Sequence, residues 1–162
     1  MSEATGEELA AVTAILSAGR TAAVTTRTAD GALHSRPLAV LDDEFSGVLR
    51  FFTEDPSAKT AEIAAHPEVN VSVGDGKGWL SLAGTATVTH DAALLERYWN
   101  PWAEAYFDGG RDDPAAALLE VHVDSFEYWD LRKPAIAQAF EVLKGVVTKS
   151  EPNLGESRAA DV

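Results

Sequence analysis

The segment Leu49-Arg50-Phe51-Phe52-Thr53-Glu54-Asp55-Pro56-Ser57-Ala58-Lys59-Thr60 runs from strand through turn into helix, with a hydroxyl and a cation at the helix start. The first turn of a helix leaves backbone N–H groups unpaired and carries partial positive charge, so it attracts an anion. Ser57 adds a hydroxyl and Lys59 a full charge at that point. The bland reading of the same residues is a helix capped by Ser57 with a solvated lysine. Upstream, His34-Ser35-Arg36-Pro37-Leu38 sets one arginine among small and apolar neighbours. A guanidinium holds phosphate with a fork of donors, and proline leaves a gap in a hydrogen-bonded ladder. If the two strands lie together, Arg36, Ser57 and Lys59 can converge on one phosphate; otherwise Arg36 is a surface ion pair.

Other groups point to less. His34, His66, His90 and His122 are 24 to 32 residues apart, without the paired spacing of a metal site, so no metal is expected. Asp42-Asp43-Glu44 and Asp112-Asp113 read as solvated turns. Gly74-Asp75-Gly76-Lys77-Gly78 lacks the spacing of a phosphate loop and reads as a hairpin turn. Trp99, Trp102, Tyr106 and Phe107 form an aromatic concentration suited to core or interface packing, or to walling a ligand.

These residues need elements to position them. Leu9, Val12, Ile15 and Leu16 recur at helical spacing after an acidic first turn, and Gly19 ends that helix. Strands are expected over Ala22–Thr28, His34–Leu41, Val48–Thr53, Val69–Val73, Trp79–Thr89 and Leu119–Asp124, with Phe126–Trp129 continuing the last after an irregular step. Pro37 marks a sheet edge or bulge and Gly84 a bend. Helices are expected over roughly Ser57–Ala65, closed by His66-Pro67, and over Ala92–Trp99, with Asp91 as N-cap. Pro134–Leu143 has helical composition, and the last 15 or so residues read as a loose polar tail. Six or seven closely spaced strands with few short helices favour an antiparallel barrel over a doubly wound sheet. The expected organisation is one domain over 1–145 followed by a tail over 146–162.

Composition sets limits. The chain has 162 residues, 46% hydrophobic and 24% charged, which suits one globular domain. A net charge of −13 argues against a phosphate-backbone binder, so no nucleic-acid partner is expected. The absence of cysteine excludes thiolate nucleophiles, Cys-ligated zinc, iron–sulfur clusters and disulfides. No signal-peptide pattern and no apolar run near the roughly 20 residues of a membrane helix is visible. The expectation is a cytoplasmic protein without a membrane partner.

Ser35-Arg36-Pro37 combined with Phe51-Phe52-Thr53 and Ser57-Ala58-Lys59 resembles the FMN-binding split-barrel family of pyridoxamine 5′-phosphate oxidase. Gly84-Thr85-Ala86, His90-Asp91, Tyr98-Trp99-Asn100-Pro101-Trp102, Tyr106-Phe107-Asp108-Gly109-Gly110 and Phe126-Glu127-Tyr128-Trp129-Asp130 follow in the order of its general stress protein 26 branch. The likeness runs from about residue 7 to 145. It implies a mainly β, six- to seven-stranded antiparallel split barrel with short flanking helices. It also implies a homodimer with FMN at the subunit interface. Arg36, Ser57 and Lys59 would hold the flavin phosphate, with Ser35 beside them. Pro37 and Leu38 would flank the ring, Phe52 and Thr53 would bound its other edge, and Trp129 would approach the partner's flavin. Trp79 falls near a position often occupied by glutamine in the oxidases. The implied function is flavin-dependent oxidoreduction of a small molecule, linked to bacterial stress. Non-catalytic flavin carriage or sensing, or the same barrel holding FAD, deazaflavin F420 or haem, are the alternatives; no catalytic acid or base is identified. Two departures separate the chain from the oxidases. Ala58 stands where they carry a cation, and Asp130-Leu131-Arg132-Lys133-Pro134 lacks their basic substrate-phosphate motif.

Overall fold

The computed structural model describes residues 3–130 and 156–162. Helix α1 (Gly6–Gly19) starts at a capping box, in which the Thr5 hydroxyl accepts from Glu8 N–H and the Glu8 carboxylate accepts from Thr5 N–H at 2.9 Å. It buries Val12, Ile15 and Leu16 against the sheet. Gly19 closes it in tight contact, since a Cβ there would lie 2.4 Å from the Val73 side chain.

Among the described residues the strands are β1 (Thr21–Arg27), β2 (Leu33–Ala39), β3 (Val48–Glu54), β4 (Glu68–Gly74), β5 (Gly78–Thr89), β6 (Ala116–Asp130) and β7 (Glu156–Asp161). They form one antiparallel sheet in the order β2-β1-β4-β5-β6-β3, with β7 also on β6. The sheet does not close. Its two ends, β2 and β3, approach where Leu41 N–H donates to the Arg50 carbonyl at 3.0 Å. Pro37 therefore sits on an edge strand paired with β1 alone, where its missing N–H costs no ladder bond.

The bend expected at Gly84 is a register slip. Ala83 pairs with Ser125 and Gly84 with Val123, leaving Asp124 as the extra residue of a bulge. A Cβ on Gly84 would lie 2.2 Å from the His122 carbonyl oxygen, so glycine is required for the backbones to approach. The irregular step foreseen before Phe126 is this bulge, and β6 runs through it without a break.

Alternation along β3 builds two cores. Leu49 and Phe51 enter the main core with Val24, Val71, Leu80, Leu82, Leu119 and Val121. Phe52 faces the opposite way, into a smaller core with Leu95, Ala103, Phe107 and Leu118. The smaller core lies under α3 (Ala92–Tyr98) and α4 (Pro101–Tyr106), with α2 (Ala58–Ala65) following β3.

Two features differ from the sequence reading. Pro101–Phe107, read only as an aromatic stretch, holds α4, capped by Asn100 with Pro101 in its first turn. Part of the tail expected to be loose forms β7, whose residues pair with Ser125–Asp130 of β6. The helix expected over Pro134–Leu143 lies outside the described residues. No helix of the described residues is long and apolar enough to cross a membrane.

Candidate functional site

The edge strand β2 and the first turns of α2 bring two cations together. Arg36 lies across from Val24 of β1, two pairs along the ladder from Thr26 and so on the same face. Its Nη1 donates to Thr26 Oγ1 at 2.6 Å and its Nη2 to Glu62 Oε2 at 3.1 Å. The Thr26 hydroxyl donates to the same Glu62 oxygen at 2.5 Å. Lys59 occupies the first turn of α2, one helical step before Glu62. It is only partly exposed. Burial, and then the Arg36 charge beside it, lower its pKa below the usual lysine range; Glu54 and Glu62 act in the opposite direction. Lys59 is thus partly shielded from solvent, while the Ser57 cap of the bland reading is present.

Ser57 is the N-cap of α2. Its hydroxyl accepts from Thr60 N–H at 3.3 Å while its own N–H donates to Thr60 Oγ1 at 2.9 Å. One oxygen of the expected anion site is therefore already engaged in holding the helix start. The turn before it is tied down as well, because Asp55 Oδ2 lies 2.8 Å from His90 Nε2 and Asp55 N–H donates to Ala115. The bond to His90 is the largest cause that lowers the Asp55 pKa.

Beside the cations a crevice of about 270 Å³ opens. Pro37, Leu38, Ala39 and Leu41 form one wall; Phe52, Thr53 and Glu54 of β3 form another. Lys59 stands in its lining, and Asn100, Trp102 and Tyr106 close it from the α4 side. The Trp102 and Tyr106 rings stack at 4.8 Å with 13° between their planes. Burial and the Glu54 carboxylate raise the Tyr106 pKa. A slot with apolar strand walls, an aromatic side and cations beside it can take a flat ring that carries an anionic group.

Of the residues expected in the site, Pro37, Leu38, Phe52, Thr53 and Lys59 share this crevice, with Arg36 and Ser57 on the elements beside it. Ser35 does not join them. Being next to Arg36 on a strand, it faces the other way and bonds the Thr25 hydroxyl at 2.7 Å. Trp79 and Trp129 are a directly opposed pair on β5 and β6, lining a separate cleft with Gly74, Gly76 and Gly78. On one chain they lie outside the crevice.

The sequence reading missed Thr26 and Glu62. Thr26 looked like one more β-branched strand residue and Glu62 like the polar face of a short helix. Their meeting spans 36 residues, which no local pattern signals. Two larger grooves elsewhere each contain an ion pair. Arg50 is bonded to Asp42 and Glu120, and Arg111 lies 3.5 Å from Glu96.

Comparison with known proteins bears on the family and the fold. The family model described as "Pyridoxamine 5'-phosphate oxidase like" matches residues 7–153. Protein bli-3 of Neurospora crassa is 29% identical over 142 residues, covering 79% of this chain and 66% of that protein, so the chain spans just under two thirds of the relative's length. The general stress FMN/FAD binding protein of Xanthomonas citri superposes with a TM-score of 0.70 at 26% identity, covering 80% of this chain and 93% of that one. The general stress protein 26 of Bacillus anthracis str. Sterne superposes with a TM-score of 0.64 at 25% identity, over 72% of this chain and 89% of its own. An open antiparallel sheet, cations gathered where its edge strand meets a capped helix, and a match over nearly the whole chain agree on one assignment: the chain belongs to the pyridoxamine 5′-phosphate oxidase-like family.

Proposed function

We propose that this chain binds FMN non-covalently and serves as a flavin-dependent oxidoreductase for a small molecule. The observation that carries the reading is Lys59 standing in the lining of an apolar crevice of about 270 Å³, with Arg36 on the strand that supplies one of its walls. Burial and the Arg36 charge both act against the Lys59 ammonium, and a phosphate beside it would act in its favour. The donor set fits a phosphomonoester: a guanidinium fork, an ammonium and the first turn of α2. Family membership and the FMN/FAD-binding relative from Xanthomonas citri support the same cofactor class.

In this reading Arg36 and Lys59 bind the phosphate through charge-assisted hydrogen bonds. Pro37, Leu38 and Phe52 keep water from the ring, and Trp102 with Tyr106 bounds the crevice opposite them. The flavin itself supplies reversible hydride and electron transfer. The protein acts as a cytoplasmic homodimer, in which the Trp79–Trp129 face of one protomer covers the ring held by its partner. A role in stress follows the naming of the relatives.

The test begins with an absorbance scan and mass analysis of whatever the purified protein releases. FMN gives flavin bands and its own mass, whereas FAD, a deazaflavin or haem gives another. Arg36→Ala should then weaken FMN by about 10- to 150-fold, the worth of a charge-assisted bond of about 1.5–3 kcal/mol. Riboflavin, which lacks the phosphate, should bind parent and variant alike. Unchanged FMN affinity in the variant refutes the phosphate assignment. Reduction of the bound flavin by NAD(P)H or a cell extract separates an oxidoreductase from a carrier.

A further inference from the structure

Thr26 is fully buried, one of three buried polar side chains among the described residues. Its hydroxyl is used in both directions: it accepts from Arg36 Nη1 at 2.6 Å and donates to Glu62 Oε2 at 2.5 Å. Arg36 Nη2 closes the ring on the same carboxylate oxygen at 3.1 Å. The three members come from three elements, β1, β2 and α2. A hydroxyl has one donor and two acceptor sites, so it can link a guanidinium to a carboxylate where a methyl group cannot.

This ring fixes more than its own members. Glu62 and Lys59 are three residues apart on α2 and so lie on one face of it. Holding Glu62 against Arg36 therefore ties the strand that carries Arg36 to the helix face that carries Lys59. Arg36 sits on an edge strand and needs this restraint more than a residue in the middle of the sheet. Two of its five N–H donors are spent in the ring, leaving three for an anion.

We infer that Thr26, acting through Glu62 and Arg36, is a positioning residue of the anion site. It keeps the guanidinium aimed beside Lys59, so that both engage one phosphomonoester without Thr26 touching the ligand. The inference rests on the proposed FMN reading.

Thr26→Val preserves shape and removes both hydrogen bonds, and Thr26→Ser restores the hydroxyl. Binding of FMN and riboflavin to the full chain should be measured by flavin fluorescence for the parent, both variants, Arg36→Ala and the Thr26→Val/Arg36→Ala pair. Thr26→Val is expected to weaken FMN about 10-fold, the loss of one well-placed charged hydrogen bond. Riboflavin affinity should stay within about 2-fold, and Thr26→Ser should recover most of the FMN affinity. In the Arg36→Ala background Thr26→Val should have no further effect, because the residue acts only through the guanidinium. FMN preference that survives Thr26→Val, or a Thr26→Val loss undiminished without Arg36, overturns this inference and leaves the phosphate reading intact. A parent that binds FMN no better than riboflavin overturns both.

Discussion

Lys59→Met gives two effects of opposite sign from one substitution. Burial and the neighbouring Arg36 lower the Lys59 pKa, so its charge is held at a cost in the ligand-free fold. Methionine keeps most of the stem and removes that cost. Water reaches the side chain and screens the effect, so the gain is about 0.5 kcal/mol, or about 1–2 °C in Tm for a chain of this length. Its pH dependence has a definite sign. With the folded pKa below the unfolded value, the penalty is complete below the folded pKa and fades as pH rises through it. The advantage of the variant over the parent should therefore be full at pH 7 and shrink towards about pH 10. With ligand the order reverses. FMN at about 100 times its Kd stabilises the parent by about 2.7 kcal/mol. A variant weakened about 100-fold meets the same ligand at its own Kd and gains only about 0.4 kcal/mol. The difference, about 2.3 kcal/mol, is about 5–9 °C of melting temperature. Melts with and without FMN read both effects in one plate. A variant that melts lower than the parent without ligand, yet keeps the full FMN shift, refutes the picture of a strained, phosphate-seeking cation.

Two further substitutions test the frame around the site. Gly84→Ala should cost about 3 kcal/mol, because the new methyl meets the backbone of His122, which cannot turn aside; a urea midpoint close to that of the parent would mean that β5 and β6 are not so near. Asp55→Asn removes the carboxylate that His90 pairs with. That pairing holds the Asp55 pKa low, so its stabilisation exists above the unfolded pKa and disappears as pH falls through the folded one. The variant should melt below the parent at pH 6, and the two should converge towards pH 2; parallel pH curves would remove the ion pair from the account.

Regular spacing made most of the frame legible. Alternation in Val69–Val73 and the helical recurrence of Val12, Ile15 and Leu16 report burial on one face, and burial is what the fold realises. Pro37 at an edge and Gly84 at a bulge were legible because each residue forbids or permits one backbone geometry. Helix α4 was hidden because six residues hold less than two turns of pattern, although Asn100 and Pro101 carry a cap signature. Strand β7 was hidden because Glu-Ser-Arg-Ala-Ala-Asp has no alternation of its own; β6 supplies its ladder. In the site, Arg36 and Lys59 stood out as cations in telling surroundings. Ser35 came with the Ser35-Arg36-Pro37 motif, and its hydroxyl is instead bonded to Thr25 across the strand pair. Thr26 and Glu62 were beyond reach because their significance is a contact between distant elements.

A chain of net charge −13 is an unexpected host for the anion proposed, and the proposal meets that objection by range. The overall field is screened within about 8 Å at physiological salt, while partly buried groups in contact are screened far less. Within that short range Arg36 and Lys59 are set against Glu62 and Glu54, which makes two neighbouring cations tolerable. The carboxylates are fixed by other bonds, Glu62 to Thr26 and Glu54 near Tyr106, so they offset the charge without filling the crevice. Formally the two glutamates balance the two cations, so the cluster itself carries no net charge. In the proposed reading recognition then rests on the donors that Arg36 and Lys59 still offer and not on net charge, which is how an acidic chain would hold a phosphate.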